Sequence, residues 1–282
     1  MRITVADIRK MKEQGEKFAA LTAYDVVTAR LVDEAGVPII LVGDSLGMVV
    51  LGYENTIPVT VDDIVHHTRA VIRGSERALV VADLPFLTYH RSAEQALENA
   101  ARCIQEGGAQ AVKLEGGKTM APTIRRLTEA GVAVMGHIGL TPQSVHQLGG
   151  FKVQGKTAGR AAEVVEDALA VEAAGAFAIV LECIPAGLSR LITRRLSIPT
   201  IGIGAGVDCD AEIQVVTDVL GWFSDFTPRH AKRFAELGAA ARTAIDEYVT
   251  EVQAGAFPTA KQSSKVGDDV LAEIEKAFPK RD

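Results

Sequence analysis

The sequence predicts a (β/α)8 barrel. Short apolar, β-rich runs alternate with longer segments of helical period along almost the whole chain, the runs number eight, and six of them end in residues suited to chemistry or ligand binding. They lie near 18–22, 38–43, 78–83, 110–115, 132–137, 177–182, 199–203 and 214–220. A doubly wound open sheet is the competing architecture, but it commonly uses five or six strands and does not place chemistry after so many of them.

With 282 residues and 48% hydrophobic content the chain can bury a large core, so residues 1–282 are expected to form a single barrel domain. The opening MRITVADIRKMKEQGEKF is polar and charged and does not resemble a signal peptide, and no later window approaches the ~18 apolar residues of a membrane span. A cytoplasmic protein without a membrane partner is expected. The net charge of −6 and the scattered basic residues argue against nucleic acid and favour a small-molecule substrate. Cys103, Cys183 and Cys209 are widely spaced and form no C-x-x-C pattern, which suits reduced thiols rather than a disulfide framework or a zinc site.

In chain order, a helix around Val5 to Lys12 is expected to cap the barrel bottom. The first strand is followed by VVTARLVDEAG, with Asp25 placed to cap that helix or to face the mouth. The second strand runs out at Asp44 and Ser45, ahead of VDDIVHHTRAVIRG, in which His66 and His67 fall on a solvated face. The third ends at Asp83 and leads to SAEQALENAARCIQEGG; the fourth, AVKLE, carries Lys113 and Glu115 and leads to TMAPTIRRLTEAG. The fifth closes on His137 before a long connection at 139–158, and loops of that length are usually functional or mobile. GRAAEVVEDALAVEAAG precedes the sixth strand, which closes on Glu182. The Gly-rich IGIGAG at 201–206 follows the seventh, where barrels often hold phosphate, although close packing explains those glycines equally well. Residues 254–282 read as an appended helical tail that packs on another subunit.

Strand side chains alternate, so Lys113 and Glu115 face one side while Leu114 faces the other. Adjacent strands lie about 4.8 Å apart, so carboxylates from the second, third and fourth strands can converge on one point. Asp44, Asp83 and Glu115 are thus candidate ligands of a magnesium ion, a hard cation that prefers oxygen donors. The alternative makes the two aspartates turn or cap residues and Glu115 the ion-pair partner of Lys113. Glu182 leaves an apolar strand across the mouth from this trio, as a general base would, or it caps the helix that begins near Pro185. His137 is suited to hydrogen-bonding a substrate oxygen or to packing; Lys113 is suited to electrostatic help or a Schiff base, with Glu115 favouring the former.

At these residues the chain resembles the ketopantoate hydroxymethyltransferase family. GDSLGMVVLGYENTIPVT at 43–60, VVADLPF at 80–86, AVKLEGG at 111–117, GHIGLTPQSVHQLGGFKVQG at 136–155, LECIP at 181–185 and IGIGAG at 201–206 occur in the family's order and spacing. The resemblance implies a TIM barrel of the phosphoenolpyruvate/pyruvate-binding type, a magnesium cofactor and a homo-oligomer, usually a decamer. It also implies transfer of a hydroxymethyl group from methylenetetrahydrofolate to 3-methyl-2-oxobutanoate, a 2-oxo acid, giving 2-dehydropantoate for pantothenate and coenzyme A synthesis. It sets Asp44, Asp83 and Glu115 around the metal, Ser45, Asp83 and Lys113 against the 2-oxo acid, and Glu182 as proton acceptor; His137 would lie near the reacting carbon or the folate. Asp44, as part of the Asp-Ser pair, would face the substrate as well as the ion. The chain departs from relatives at DAEIQVVTD (210–218), at the 222–234 stretch and at Gln262-Ser263-Ser264, none of which touches the expected metal or base positions. The neighbouring possibility is another magnesium-dependent 2-oxo acid lyase or aldolase of the same barrel type.

Overall fold

The structure, a computed structural model, describes residues 1–223 and 228–279; 224–227, within the divergent 222–234 stretch, and 280–282, at the end of the tail, lie outside it. Eight parallel strands close into a barrel in sequence order: β1 (Phe18–Thr22), β2 (Ile39–Val42), β3 (Leu79–Asp83), β4 (Ala111–Glu115), β5 (Val134–Gly139), β6 (Ala178–Glu182), β7 (Thr200–Ile203) and β8 (Ala211–Gln214). The helices that cross between them are α2 (Val26–Glu34), α3 (Leu46–Val49) with α4 (Val61–Gly74), α5 (Ala93–Ala101), α6 (Ala121–Glu129), α7 (Val145–Leu148) with α8 (Ala158–Ala173), and α9 (Ala186–Arg195). Caps set several of their starts. Thr60 and Asp63 form a capping box on α4, and Asp25 accepts the Thr28 amide at 2.7 Å, so Asp25 caps α2.

Strand alternation divides the apolar residues into two cores. Ile40, Val42, Val80, Ala82, Val112 and Leu114 face outward and pack with helix residues such as Ile64, Ile124, Leu127 and Val171. Ile39, Leu41, Leu79, Val81, Ala111, Met135, Val180 and Ile201 face inward and fill the barrel. Beneath them, Ile8 of α1 (Val5–Glu13) is fully buried against this inner set. The inward stripe of β3 therefore reads Leu79, Val81, Asp83, and that of β4 reads Ala111, Lys113, Glu115. Apolar packing gives way to charge at the upper rim.

The eighth strand corrects the expectation of a strand at 214–220. It lies at Ala211–Gln214, aligned with β1 through Phe18↔Ala211 and Leu21↔Gln214, and 216–220 is instead helix α10 (Val216–Leu220), stopped by Gly221 at φ +62°. Apolar character alone did not separate the two, whereas only Ala211 and Ile213 supply an inward pair at the right height. His67 also departs from its expected solvated face: its ring is half-buried, with Nδ1 2.6 Å from the Tyr24 carbonyl oxygen. The long connection after β5 holds a 3-10 turn (Pro142–Ser144) and α7. Helices α11 (Leu237–Gln253) and α12 (Asp268–Ala277) bury none of their residues and expose Ile245, Tyr248, Val249 and Val252, and Val270, Leu271 and Ile274. Among the described residues no helix is long and apolar enough to cross a membrane.

Truncating the plug tests its energetic role. Ile8→Ala should cost about 2–5 kcal/mol, the range for a fully buried aliphatic, read in urea unfolding as a lower midpoint at unchanged slope. A loss below about 1 kcal/mol would mean that α1 merely rests on the barrel floor.

Candidate active site

Strand register gathers the predicted residues at the carboxyl end of the barrel. Asp83 pairs with Lys113 across β3 and β4, and Glu115 pairs with His137 across β4 and β5, so each pair shares a height and a direction. On β6 the inward side chain next above Val180 is Glu182, whose register partner is Gly139. The result is a staircase of polar groups around one side of the mouth, all but Glu182 and Ser45 buried.

Lys113 is the centre of charge. Its Nζ lies 2.9 Å from Asp83 Oδ1 and 3.3 Å from His137 Nδ1. Burial disfavours the ammonium, but Asp83, Glu115 and Asp44 outweigh it and hold Lys113 protonated above its ordinary range. A protonated lysine is no Schiff-base nucleophile, so its chemistry here is electrostatic. Asp83, and not Glu115, is its ion-pair partner. Since the ammonium has only hydrogens to offer, His137 Nδ1 accepts and the ring's remaining proton sits on Nε2, 3.2 Å from Glu182 Oε2. That approach is not aligned as a hydrogen bond. Burial and then Lys113 lower the His137 pKa, which keeps the imidazole neutral.

The carboxylates feel the opposite pressure. Burial pushes Asp83 up to about 7 against the pull of Lys113, and burial likewise raises Asp44 and, further, Glu115. Asp83 Oδ2 accepts the Asp44 amide at 3.2 Å, while Oδ1 is buried without a hydrogen-bond partner beyond its ion-pair contact. Neither aspartate is a cap: the short helix after Asp44 begins at Ser45 with no side-chain cap bond, and Ser45 instead meets the buried Tyr24 hydroxyl at 2.9 Å. Glu182 likewise does not cap α9, which starts at Pro185.

Two residues of this cluster were not singled out from sequence. Gln143, in the turn after β5, donates Nε2 to Asp44 Oδ2 and to the Leu84 carbonyl, both at 2.9 Å, and its backbone amide reaches Glu115 Oε2 at 3.1 Å. Tyr89 places its hydroxyl 2.7 Å from Gln143 Oε1 and accepts the Glu115 amide at 3.1 Å. The only signal was that Gln143 lies in the long connection already expected to be functional. At IGIGAG, close approach explains a glycine: Gly206 has φ +88°, and a Cβ there would sit 2.5 Å from the Ala186 Cβ. Cys183, beside Glu182, has its thiol pushed up to about 11 by burial and then by that glutamate, so it is not a ready nucleophile.

The donor set fits a divalent cation by charge and chemistry. Three buried carboxylates against one ammonium leave an excess of two negative charges when all three are ionised, and among the described residues the Lys113 ammonium is the one close partner of Asp83 Oδ1. Among the described residues, however, no group of three or more His, Cys, Asp or Glu is drawn together at ligating distance.

The fold and this mouth define an enzyme of the (β/α)8 class with its chemistry at the carboxyl ends of the strands. Solved barrels of like fold include phosphonopyruvate hydrolase in complex with oxalate and Mg++ (TM-score 0.59, 14% identity, 99% of this chain and 100% of that one). Another is 2,3-dimethylmalate lyase, a PEP mutase/isocitrate lyase superfamily member (TM-score 0.56, 16% identity, 98% and 99%). At such identities the likeness is one of fold. Sequence carries it further: the ketopantoate hydroxymethyltransferase family model matches residues 2–260, and the chain belongs to that family. It is 58% identical over 276 residues to the 3-methyl-2-oxobutanoate hydroxymethyltransferase of Dehalococcoides mccartyi (strain CBDB1), covering 98% of this chain and 99% of the relative. To that of Chloroflexus aurantiacus (strain ATCC 29366 / DSM 635 / J-10-fl) it is 57% identical over 272 residues, 96% of each.

The raised Asp83 pKa has a direction that stability can read. Between its ordinary 3.8 and about 7 the folded chain binds more protons than the unfolded one, so this group's contribution to stability falls as pH rises through that window. With divalent ions withheld, the unfolding free energy of the protein minus that of Asp83→Asn should fall from about pH 4 to about pH 7 and then level off. A flat difference would show an Asp83 that ionises as it does in water.

Proposed function

We propose that this chain transfers a hydroxymethyl group from 5,10-methylenetetrahydrofolate to 3-methyl-2-oxobutanoate, giving 2-dehydropantoate and tetrahydrofolate in pantothenate and coenzyme A synthesis. The observation that carries the reading is that hydroxymethyltransferases 57–58% identical to this chain match it over nearly its whole length. The mouth's geometry fits the activity for which those relatives are named.

Asp44, Asp83 and Glu115 would hold a magnesium ion, directly or through water, and their excess negative charge supports this. When bound, the ion would polarise the 2-oxo group of the substrate and acidify its C3 proton. Ser45, Asp83 and Lys113 contact the 2-oxo acid, with Asp44 facing it beside the ion, and the Lys113 ammonium offsets the charge of the substrate carboxylate. Glu182 then takes the C3 proton; water cleaves the one-carbon unit from both folate nitrogens as formaldehyde, the electron pair left on C3 bonds to its carbon, and the former carbonyl oxygen takes up a proton to become the hydroxyl. Neutral His137 stands between Lys113 and Glu182 and leaves the base its charge. The alternation of exposed apolar residues along α11 and α12 supports a homo-oligomer, a decamer by family resemblance. The three free cysteines suit the reducing cytoplasm.

Purified protein supplied with magnesium, 3-methyl-2-oxobutanoate and methylenetetrahydrofolate should form 2-dehydropantoate. Absence of product, with C–C cleavage of some 2-oxo acid in its place, would hand the site to a lyase. Glu182→Gln should slow C3 proton–deuterium exchange by about 10²–10⁴-fold while 2-oxo acid binding persists. Asp83→Ala should instead weaken the metal-dependent binding itself. Exchange at the normal rate in Glu182→Gln would place the base elsewhere.

A further inference from the structure

We propose that Gln143 is a positioning residue for the cation, a role that rests on the metal reading above: it fixes the orientation of the Asp44 and Glu115 carboxylates so that one oxygen of each stays free for the ion. A carboxylate has two oxygens, and a buried one with neither restrained can turn its ligating edge away. Gln143 restrains one oxygen on each of two strands at once. Its side-chain Nε2 occupies Asp44 Oδ2 at 2.9 Å, and its backbone amide occupies Glu115 Oε2 at 3.1 Å. Asp44 Oδ1 and Glu115 Oε1 are left to the ion.

The amide cannot turn over. Its second N–H is taken by the Leu84 carbonyl at 2.9 Å, and its Oε1 faces the Tyr89 hydroxyl at 2.7 Å. Rotating it by half a turn would set Oε1 against a carboxylate and a carbonyl, both acceptors. The residue is 2% exposed and Tyr89 is fully buried, so water cannot replace these bonds. A neutral donor is also the right donor. Lysine or arginine in this place would cancel part of the two-charge excess, and the cluster's demand for a cation would fall with it. Since Gln143 lies in the connection between β5 and α8, that segment is tied to the metal carboxylates at one end. At its other end the Gln154 amide is bonded to the Cys183 carbonyl at 2.9 Å, beside Glu182.

The test uses Mn²⁺ alone as probe, with the free ion followed by electron paramagnetic resonance, on the full chain and on Gln143→Met, a change of similar length that removes the side-chain bonds to Asp44, Leu84 and Tyr89 while the backbone amide stays on Glu115. Loss of a residue that orients ligands commonly costs about 10–100-fold in metal affinity. A loss of that size is expected, read at a temperature where both proteins are folded, because the buried partners left unpaired also lower the thermal midpoint. A residue whose bonds only stabilise the fold would lower the midpoint and leave the affinity. Parent-like Mn²⁺ affinity in Gln143→Met overturns this proposal alone, whereas a parent protein that binds no Mn²⁺ overturns the metal reading beneath it. Should Gln143→Met fail to fold, Tyr89→Phe keeps the ring and removes the hydroxyl that orients the amide and also meets the Glu115 backbone. A several-fold weaker Mn²⁺ affinity there supports the proposal, and an unchanged one overturns it.

Discussion

The structure depends on one electrostatic constraint: more negative than positive charge is buried at the upper rim of the barrel. Asp44, Asp83 and Glu115 are each at most 5% exposed, and Lys113 is the only buried cation among them in the described chain. An uncompensated buried ion costs several kcal/mol even after relaxation, so the imbalance has to be met by protons or by a cation. Burial raises all three carboxyl pKa values and leaves Lys113 protonated, the pattern of a site short of positive charge. His137 cannot make up the deficit, because the same burial and the same lysine disfavour its charged form. The site is therefore one whose unmet negative charge calls for protons or for a cation.

The barrel makes such a rim affordable only because the charge is confined to it. Below Asp83 and Lys113 the inward residues are Leu79, Val81, Ala111 and Met135, closed underneath by Ile8, so no charged group needs a partner deeper in the core. Strand stagger then separates the groups by height. Asp83 and Lys113 share one level, Glu115 and His137 the next, and Glu182 stands level with Gly139 above them. The imidazole spans two of these steps, from the Lys113 ammonium to the Glu182 carboxylate.

Seven strands and the whole acidic trio were legible in the sequence because both follow from period-two alternation, which needs no knowledge of neighbours. What alternation cannot supply is contact across strands or between a loop and the rim. β8 was read too late because VVTDVL is as apolar as a strand; its helical fate depends on Gly221 and on pairing with β1. Asp83 as the lysine's partner depends on the β3–β4 register, which sequence leaves open where Glu115 is as near along the chain. Gln143 carries no local signature: an amide in a polar loop becomes the keystone of the carboxylates only once the chain folds back over Asp44 and Glu115. The tail was legible as helix, and α12 is helical.

The turn that follows the base shows the same dependence on long-range contact. Cys183 sits at φ +48°, a left-handed conformation that costs a non-glycine residue about 1–3 kcal/mol and persists only where its surroundings impose it. The surroundings do so from both sides: the Cys183 amide donates to the Ile203 carbonyl at the end of β7, and its carbonyl accepts the Gln154 amide from the connection after β5, each at 2.9 Å. Gly204 completes the fit, since a Cβ there would lie 3.4 Å from the Cys183 sulfur and 3.1 Å from the His230 Cβ. Strand β6 thus stops abruptly at Glu182, and the chain leaves at an angle that keeps this carboxylate at the mouth, 13% exposed, instead of continuing it into a helix cap. The strain is local, and it falls on the residue next to Glu182.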